Sequence, residues 1–154
     1  MARTEISVCL LTYNSNYNKL IRTLESILCQ KSIDFELIIS DDGSENFDKK
    51  EICSWIDNRG FTNYKILVHK KNIGTVKNML SALKEAVGIY VKTISPGDYL
   101  YNNTSLYRMM NFMKENNLTL CFGDAVPYDS NGLLPEGYLT PHSIVPYLMH
   151  DDKR

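Results

Sequence analysis

The sequence predicts a three-layer α/β fold, a mostly parallel sheet covered by helices on both faces, and three observations carry that prediction. Short apolar runs rich in β-formers alternate with segments whose apolar residues recur at helical spacing. The resulting order is β-α-β-α-β-α-β-α-β, which is what parallel strands joined by crossover helices require. The polar residues also fall in a telling place. In Phe35–Ser44, FELIISDDGS, an apolar strand breaks off into two carboxylates, a glycine and a hydroxyl. Parallel sheets bind ligands in the crevice outside the carboxyl ends of their strands, so this acidic turn predicts a binding site.

Residues 5–11, EISVCLL, form the first strand and end at Thr12-Tyr13-Asn14-Ser15-Asn16, a polar turn with good helix N-cap residues. Leu20, Leu24, Ile27 and Leu28 then follow one-sided helical spacing as far as Cys29-Gln30-Lys31. Strand two is Phe35–Ser40. Ile52, Trp55 and Ile56 mark a second helix, closed by Asn58-Arg59-Gly60 with glycine in the usual C-terminal capping place. Tyr64–His69 is strand three. After Lys70-Lys71-Asn72-Ile73-Gly74, the positions Val76, Met79, Leu80, Leu83 and Val87 give the cleanest amphipathic stripe in the chain, ending at Gly88. Ile89–Ile94 is strand four, stopped by Ser95-Pro96-Gly97-Asp98, where proline and glycine forbid continuation. Leu106, Met109, Met110 and Met113 make a fourth helix, the methionines reading as core filling. Leu118–Phe122 is expected as a fifth strand ending at Gly123-Asp124. Residues 127–154 hold four of the five prolines and at most a short helix around Ser143–Met149.

At 154 residues the chain suits one domain with a real core. Seventeen basic and 18 acidic side chains leave a formal charge of -1, too little field to hold a nucleic acid backbone or an anionic membrane. No apolar run approaches the roughly 20 residues that span a bilayer, and the N-terminus lacks a cleavable signal pattern, so the expected compartment is the cytosol. Cys9, Cys29, Cys53 and Cys121 sit singly in apolar segments, which favours buried free thiols over a zinc site or disulfides. Glycosylation-like triplets such as those at Asn102 and Asn117 read as chance matches without a secretion signal. His69, His142 and His150 lack metal-ligand spacing.

Asp41 and Asp42 admit an ordinary reading, a turn with Gly43 at positive φ and Ser44 capping the next helix. The strand before them, however, fixes Asp41 at the sheet edge, where a carboxylate can accept hydrogen bonds from an N–H or a ribose hydroxyl. Asp41 is the first binding candidate. Asn72 and Gly74 precede a helix N-terminus, which attracts anions, and Lys77 one turn further on carries a charge able to face a phosphate or simply water. Asp98 is either a turn carboxylate or a ligand, direct or through water, of a divalent cation carried by a diphosphate. All these turns follow strand ends, so the fold would gather them along one edge. A phospho-receiver arrangement is set aside, because the places where it needs carboxylates hold Thr12-Tyr13-Asn14 and Lys70-Lys71-Asn72. Tyr99, Tyr101, Tyr128 and Tyr138 could stack on a sugar face, and ordinary packing accounts for them equally.

ISVCLLTYN, FELIISDDGS, NIGTVKNMLSALKEAVGIYVKTISPGDYL and CFGDAV, in that order and spacing, resemble the nucleotide-sugar-binding half of family 2 glycosyltransferases with the Rossmann-like GT-A fold, of the bacterial polysaccharide-assembling type. The similarity covers roughly residues 5–130. It implies a nucleotide-sugar donor, most simply a UDP-sugar, with Thr12, Tyr13 and Asp41 at the base and ribose. Asp42 and Lys77 fall towards the ribose and diphosphate, and Asn14, Asn72 and Gly74 complete the expected nucleotide-binding set. Where the family reads Asp-x-Asp-Asp this chain has Ser95-Pro96-Gly97-Asp98, so Ser95 and Gly97 replace the metal-binding DxD pair and Asp98 alone is left for Mn2+ or Mg2+.

The resemblance further implies an inverting transfer to a glycan or lipid-linked acceptor in capsule or other cell-surface polysaccharide synthesis. A carboxylate deprotonates the acceptor hydroxyl while a cation or dipoles stabilise the departing diphosphate. The family's base is an acidic residue well downstream; Asp151 and Asp152 come too early, and no residue here is assigned to it. Residues 1–126 are thus expected as the donor-binding core and 127–154 as the start of an acceptor-binding part. Attachment at the inner face of the membrane through a further part of the chain and pairing into a homodimer belong to the same expectations. The competing reading is a non-catalytic nucleotide- or partner-binding module that has lost the DxD pair and the base.

Overall fold

Strand β1, Ile6–Thr12, lies between β2, Phe35–Asp41, and β4, Tyr90–Ile94, in a four-stranded sheet of order β3-β2-β1-β4, with β3 at Tyr64–Val68. This is a computed structural model, and it describes residues 4–123, 125–129, 132 and 133. Every ladder in the sheet is parallel, with Thr12 level with Asp41, Asp41 level with Val68, and Leu10 level with Ile94. The strands are linked by α1 (Tyr17–Leu28), α2 (Lys49–Asp57) and α3 (Thr75–Glu85), and β4 is followed by α4 (Ser105–Glu115).

Composition explains the layering. β1 and β2 are near-continuous apolar runs because both of their faces are covered, and every residue of β2 is buried. Ile6, Val8, Leu10, Leu37, Ile39, Ile66 and Ile94 point to one side. There they pack with Leu20, Leu24 and Ile27 of α1, Ile52 and Ile56 of α2, and Leu106 and Met110 of α4. Cys9 and Ile38 point to the other side and meet Ala82 of α3. The three-layer expectation is therefore borne out. β3 and β4 alternate between covered and exposed positions, as outer strands do.

Four local expectations need correction. The apolar stripe of α3 does not face the sheet: Val76, Leu80 and Val87 are exposed, while Asn78 and Ala82 are buried. The helix approaches the strands closely through its small residue. Asn78 is accepted in the interior because its amide donates to the Ser40 carbonyl at 3.0 Å and its carbonyl accepts the Ser40 hydroxyl at 2.6 Å. Residues 118–122 form no strand, and Leu120 and Phe122 are exposed, because β-propensity makes a strand only where a neighbouring backbone completes the ladder. Helix α2 is capped by Asp48, which accepts the Glu51 N–H at 3.0 Å, and not by Ser44. Of the four free cysteines only Cys9 is buried; Cys29 is exposed because it caps the outer end of α1.

The chain divides into two compact units, Met1–Asn116 and Asn117–Arg154. Within the described part of the second, Tyr128–Asp129 and Gly132–Leu133 form a short antiparallel hairpin, β5 and β6. Asp124, Tyr138, His142, His150, Asp151, Asp152 and the helix expected near Ser143–Met149 lie outside the described residues. No described helix is long and apolar enough to cross a membrane.

Candidate functional site

Chain order runs outward from β1 to β2 and β3 and then returns to β4 on the other side of β1, so the strand order reverses between β1 and β4. That reversal opens a crevice at the carboxyl ends of the strands. The Thr12–Ser15 turn, the Asp41–Ser44 turn, the His69–Gly74 connection and the Ser95–Asp98 turn all leave from that edge.

Asp41 is fully buried. Its Oδ2 accepts the Ser44 N–H at 2.8 Å and its Oδ1 accepts the Ser44 hydroxyl at 2.5 Å. Ser44 Oγ in turn accepts the N–H of Asn14 at 2.7 Å, and Asn14 Oδ1 accepts the N–H of Glu45 at 3.3 Å. The loops after β1 and β2 are thus tied to each other at Asp41. Asn14 holds a left-handed φ of 45°, a conformation its short amide tolerates better than most side chains. Thr12 is buried and its hydroxyl donates to Ser15 Oγ at 3.0 Å. Between these loops lies a cleft of ≈ 290 Å³ lined by Thr12, Asn14, Tyr17, Ser44, Phe47 and Asp48 among others. Burial and hydrogen bonding to Glu51 push the Tyr17 phenol above its ordinary value. Tyr13 is half exposed beside it.

Asp42 does something composition could not reveal. Only 3% exposed, it accepts the N–H of Ile73 on Oδ1 at 2.7 Å and that of Gly74 on Oδ2 at 3.1 Å. Gly74 N–H also reaches Asn72 Oδ1 at 3.0 Å. The chain's own carboxylate therefore sits at the approach to α3, where a ligand phosphate was expected to bind. Asn72 and Lys77 are exposed at the same end.

Across the crevice, Asp98 is exposed and its own N–H closes the turn onto the Ser95 carbonyl at 3.0 Å. Among the described residues no three His, Cys, Asp or Glu side chains come together. A single carboxylate fits a Mg2+ or Mn2+ that arrives with two phosphate oxygens, and does not fit a resident ion. His69 follows β3; its N–H donates to the Asp41 carbonyl at 3.0 Å, while its Nε2 is buried without a hydrogen-bond partner.

Thr12, Asn14, Asp41 and Asp42 are thus drawn into one connected cluster with Asn72 and Gly74. Ser15, Ser44 and Thr23, which complete the loops, were not foreseen. Ser44 stood in the acidic turn and could have been found; Thr23 lies in mid-helix with no signal beyond its polarity. A larger cleft of ≈ 390 Å³, lined by Glu25, Leu28, Cys29, Arg59, Gly60 and Phe61, lies at the opposite ends of α1 and α2. Its charges are already used, since Arg59 pairs with Glu25 at 3.6 Å and covers the Trp55 ring.

Comparisons with known proteins bear on the family and the fold. The family described as Glycosyl transferase family 2 matches residues 7–149. An uncharacterized glycosyltransferase of Rickettsia felis is 33% identical over 114 residues, 74% of this chain and 18% of that protein. The structure of S. aureus TarS 1-349 in complex with UDP-GlcNAc is similar with a TM-score of 0.64 at 28% identity, covering 73% of this chain and 32% of that one. A mannosyltransferase of Pyrobaculum calidifontis, in complex with GDP-Man and Mn2+, shares the fold with a TM-score of 0.66 at 17% identity, covering 73% of this chain and 33% of that one. The chain therefore spans under a fifth of the length of its curated relative and about a third of these solved chains. With the match running through nearly every element of a parallel sheet wound in the GT-A manner, the chain belongs to glycosyl transferase family 2.

Proposed function

We propose that this chain is the donor-binding part of a family 2 glycosyltransferase that moves a sugar from a UDP-sugar to a glycan or lipid-linked acceptor in cell-surface polysaccharide synthesis. The observation that carries the reading is the convergence of the Thr12, Asp41 and Asp98 turns on the crevice where the strand order reverses. In this reading Tyr13 stacks on the base, while Thr12, Asn14 and Asp41 meet the base and ribose through their polar atoms. Asp42 acts indirectly, holding Ile73 and Gly74 so that Asn72 and Lys77 face the diphosphate.

Asp98 would hold a divalent cation brought by the diphosphate, which offsets the charge that builds on the leaving group. Transfer with inversion also needs a base to take the proton of the acceptor hydroxyl as that oxygen bonds to the anomeric carbon. No described residue is assigned that role. The UDP-GlcNAc and UDP complexes of TarS support the choice of a uridine donor.

The test is titration calorimetry with UDP, with and without Mn2+. Binding that Mn2+ strengthens is expected, and Asp41→Asn should weaken it under both conditions. A protein that binds UDP under neither condition cannot be the donor-binding part. A non-catalytic module is the second reading, favoured by Ser95 and Gly97 standing where carboxylates are expected and by Asp41 and Asp42 being satisfied within the chain. UDP affinity indifferent to Mn2+ is its signature.

A further inference from the structure

We propose that Thr23 and Ser26 of α1, with Gln30 just past its C-terminal end, form a polar rail that positions the Ser95–Asp98 turn, and with it the Asp98 carboxylate, for the donor diphosphate. The assignment rests on the donor-site reading above. Leu20, Leu24 and Ile27 turn one stripe of α1 into the core, residues 23 and 26 run beside it at helical spacing, and Gln30 follows just past the C-cap Cys29. Each of the three grips the connection between β4 and α4.

Thr23 is fully buried, and its Oγ accepts the N–H of Gly97 at 3.0 Å. Its one hydrogen is shared between the carbonyls of Lys19 and Asp98, each at 3.0 Å. Ser26 Oγ accepts the N–H of Leu100 at 3.2 Å and donates to the Thr23 carbonyl at 2.8 Å. Gln30 donates to the Asn102 carbonyl at 2.6 Å and accepts the Leu106 N–H at 3.0 Å. Arg22 adds a cation over the Tyr99 ring, 5.0 Å from its centre. Helix α1 and the residue just beyond its cap thus hold the connection from the turn to the first residues of α4.

The placement of Thr23 is what separates a positioning role from general support. Gly97 has a φ of 103°, which only glycine adopts readily, so the turn has no stiffness of its own at that residue. The hydroxyl holds the N–H of Gly97, one residue before Asp98, and the carbonyl of Asp98 itself, and with the Asp98 N–H closed onto Ser95 these points set the direction in which its side chain leaves the backbone. A lone carboxylate has no neighbouring acid to take over if it is displaced. Geometry at the reacting centre is sensitive on the scale of about 1 Å. The same helix starts at Tyr17, capped by Asn16 immediately after the Thr12–Ser15 turn, so α1 also fixes how far the base end of the crevice lies from the diphosphate end.

The experiment compares wild type, Thr23→Val, Thr23→Ser, Asp98→Asn and the Thr23→Val/Asp98→Asn double variant by UDP calorimetry with and without Mn2+. Hydrogen exchange of residues 95–100 is read alongside. Thr23→Val is expected to speed exchange in that segment and to lower Mn2+-supported UDP affinity about tenfold or more. Affinity without Mn2+ should stay within about twofold. Thr23→Ser should restore both readouts, and the double variant should bind no more weakly than Asp98→Asn alone. Wild-type Mn2+-supported affinity in Thr23→Val, an equal loss with and without the cation, or additive losses would each overturn the proposal while leaving the donor reading intact. Failure of the wild type to bind UDP at all ends both. Should Thr23→Val not fold, Ser26→Ala takes its place: faster exchange with a smaller Mn2+-dependent loss supports the rail, and no change in either overturns it.

Discussion

Gly43 meets two demands that no other residue can meet together. Its φ is +75°, and a Cβ there would lie 2.7 Å from Lys71 Cα and 2.8 Å from Asn72 N, backbone atoms that cannot swing aside. Gly43→Ala should therefore destabilise the fold by more than the ~1–3 kcal/mol that left-handed strain alone costs, read as a lower urea midpoint. An unchanged midpoint would show that the turn has another way to sit. Cys9 illustrates burial acting on a titrating group. Loss of hydration, and then the negative Glu36 nearby, push its thiol from 9.0 up to about 11. With the folded value above the ordinary one, the stability linked to this thiol is complete below pH 9 and is lost as the pH climbs from there through 11. Iodoacetamide at about pH 8 should accordingly modify exposed Cys29 in the native protein and leave Cys9 untouched until it is unfolded, as peptide mass spectrometry would show. Glu36 itself escaped sequence reasoning. No pattern singles out a carboxylate within an apolar strand, yet it is buried and accepts the Ser7 hydroxyl at 2.6 Å and the Val87 N–H at 2.7 Å.

Between elements, the contact that matters most is the one from the β2 turn to the start of α3. Asp42→Ala would leave the N–H groups of Ile73 and Gly74 without their acceptor and should cost about 1–3 kcal/mol, with Asp42→Asn recovering part of it; urea unfolding of the two variants tests this. Helix α3 also shows where periodicity misleads. Its apolar stripe was the most regular in the chain, yet the buried positions are Asn78 and Ala82, because a close approach to β1 and β2 needs a small side chain and a hydrogen-bonded amide more than it needs bulk. Leu80→Lys should consequently shift stability by no more than about 0.5 kcal/mol. Ala82→Leu should cost about 1–3 kcal/mol by forcing extra volume between helix and sheet. Matching thermal unfolding of the two would contradict this orientation of the helix. By contrast α1 was legible from Leu20, Leu24 and Ile27, and its cap from Asn16, since both signals lie within the segment itself. The partners of Thr23, Ser26 and Gln30 lie about 70 residues away in sequence, and no local pattern announces them.

At the scale of the molecule, the strand ends were readable because each apolar run stops where its strand does, and parallel winding then forces those stops to one edge. The fifth strand was not, because a strand is a property of two backbones and 118–122 supplies only one. The same asymmetry within the first unit sets a gradient of stability across the sheet. β1 and β2 are covered on both faces, but α3 is the only described helix packed on its side of the sheet, and Val91 and Thr93 of β4 remain exposed on that side. β3 is likewise an outer strand, half exposed along its length. Opening β1 or β2 means dismantling both clusters, whereas β3 or β4 can detach with the loss of one ladder. In native hydrogen exchange the amides of β1 and β2 should therefore open only with global unfolding, while those of β3 and β4 should exchange roughly a hundredfold faster. The crevice inherits that gradient: its Thr12 and Asp41 walls stand on the slowest strands, and its Asp98 wall hangs from a faster one and depends on α1 to keep its place. Equal protection in all four strands would mean that the sheet opens as one body and that the two walls are equally firm.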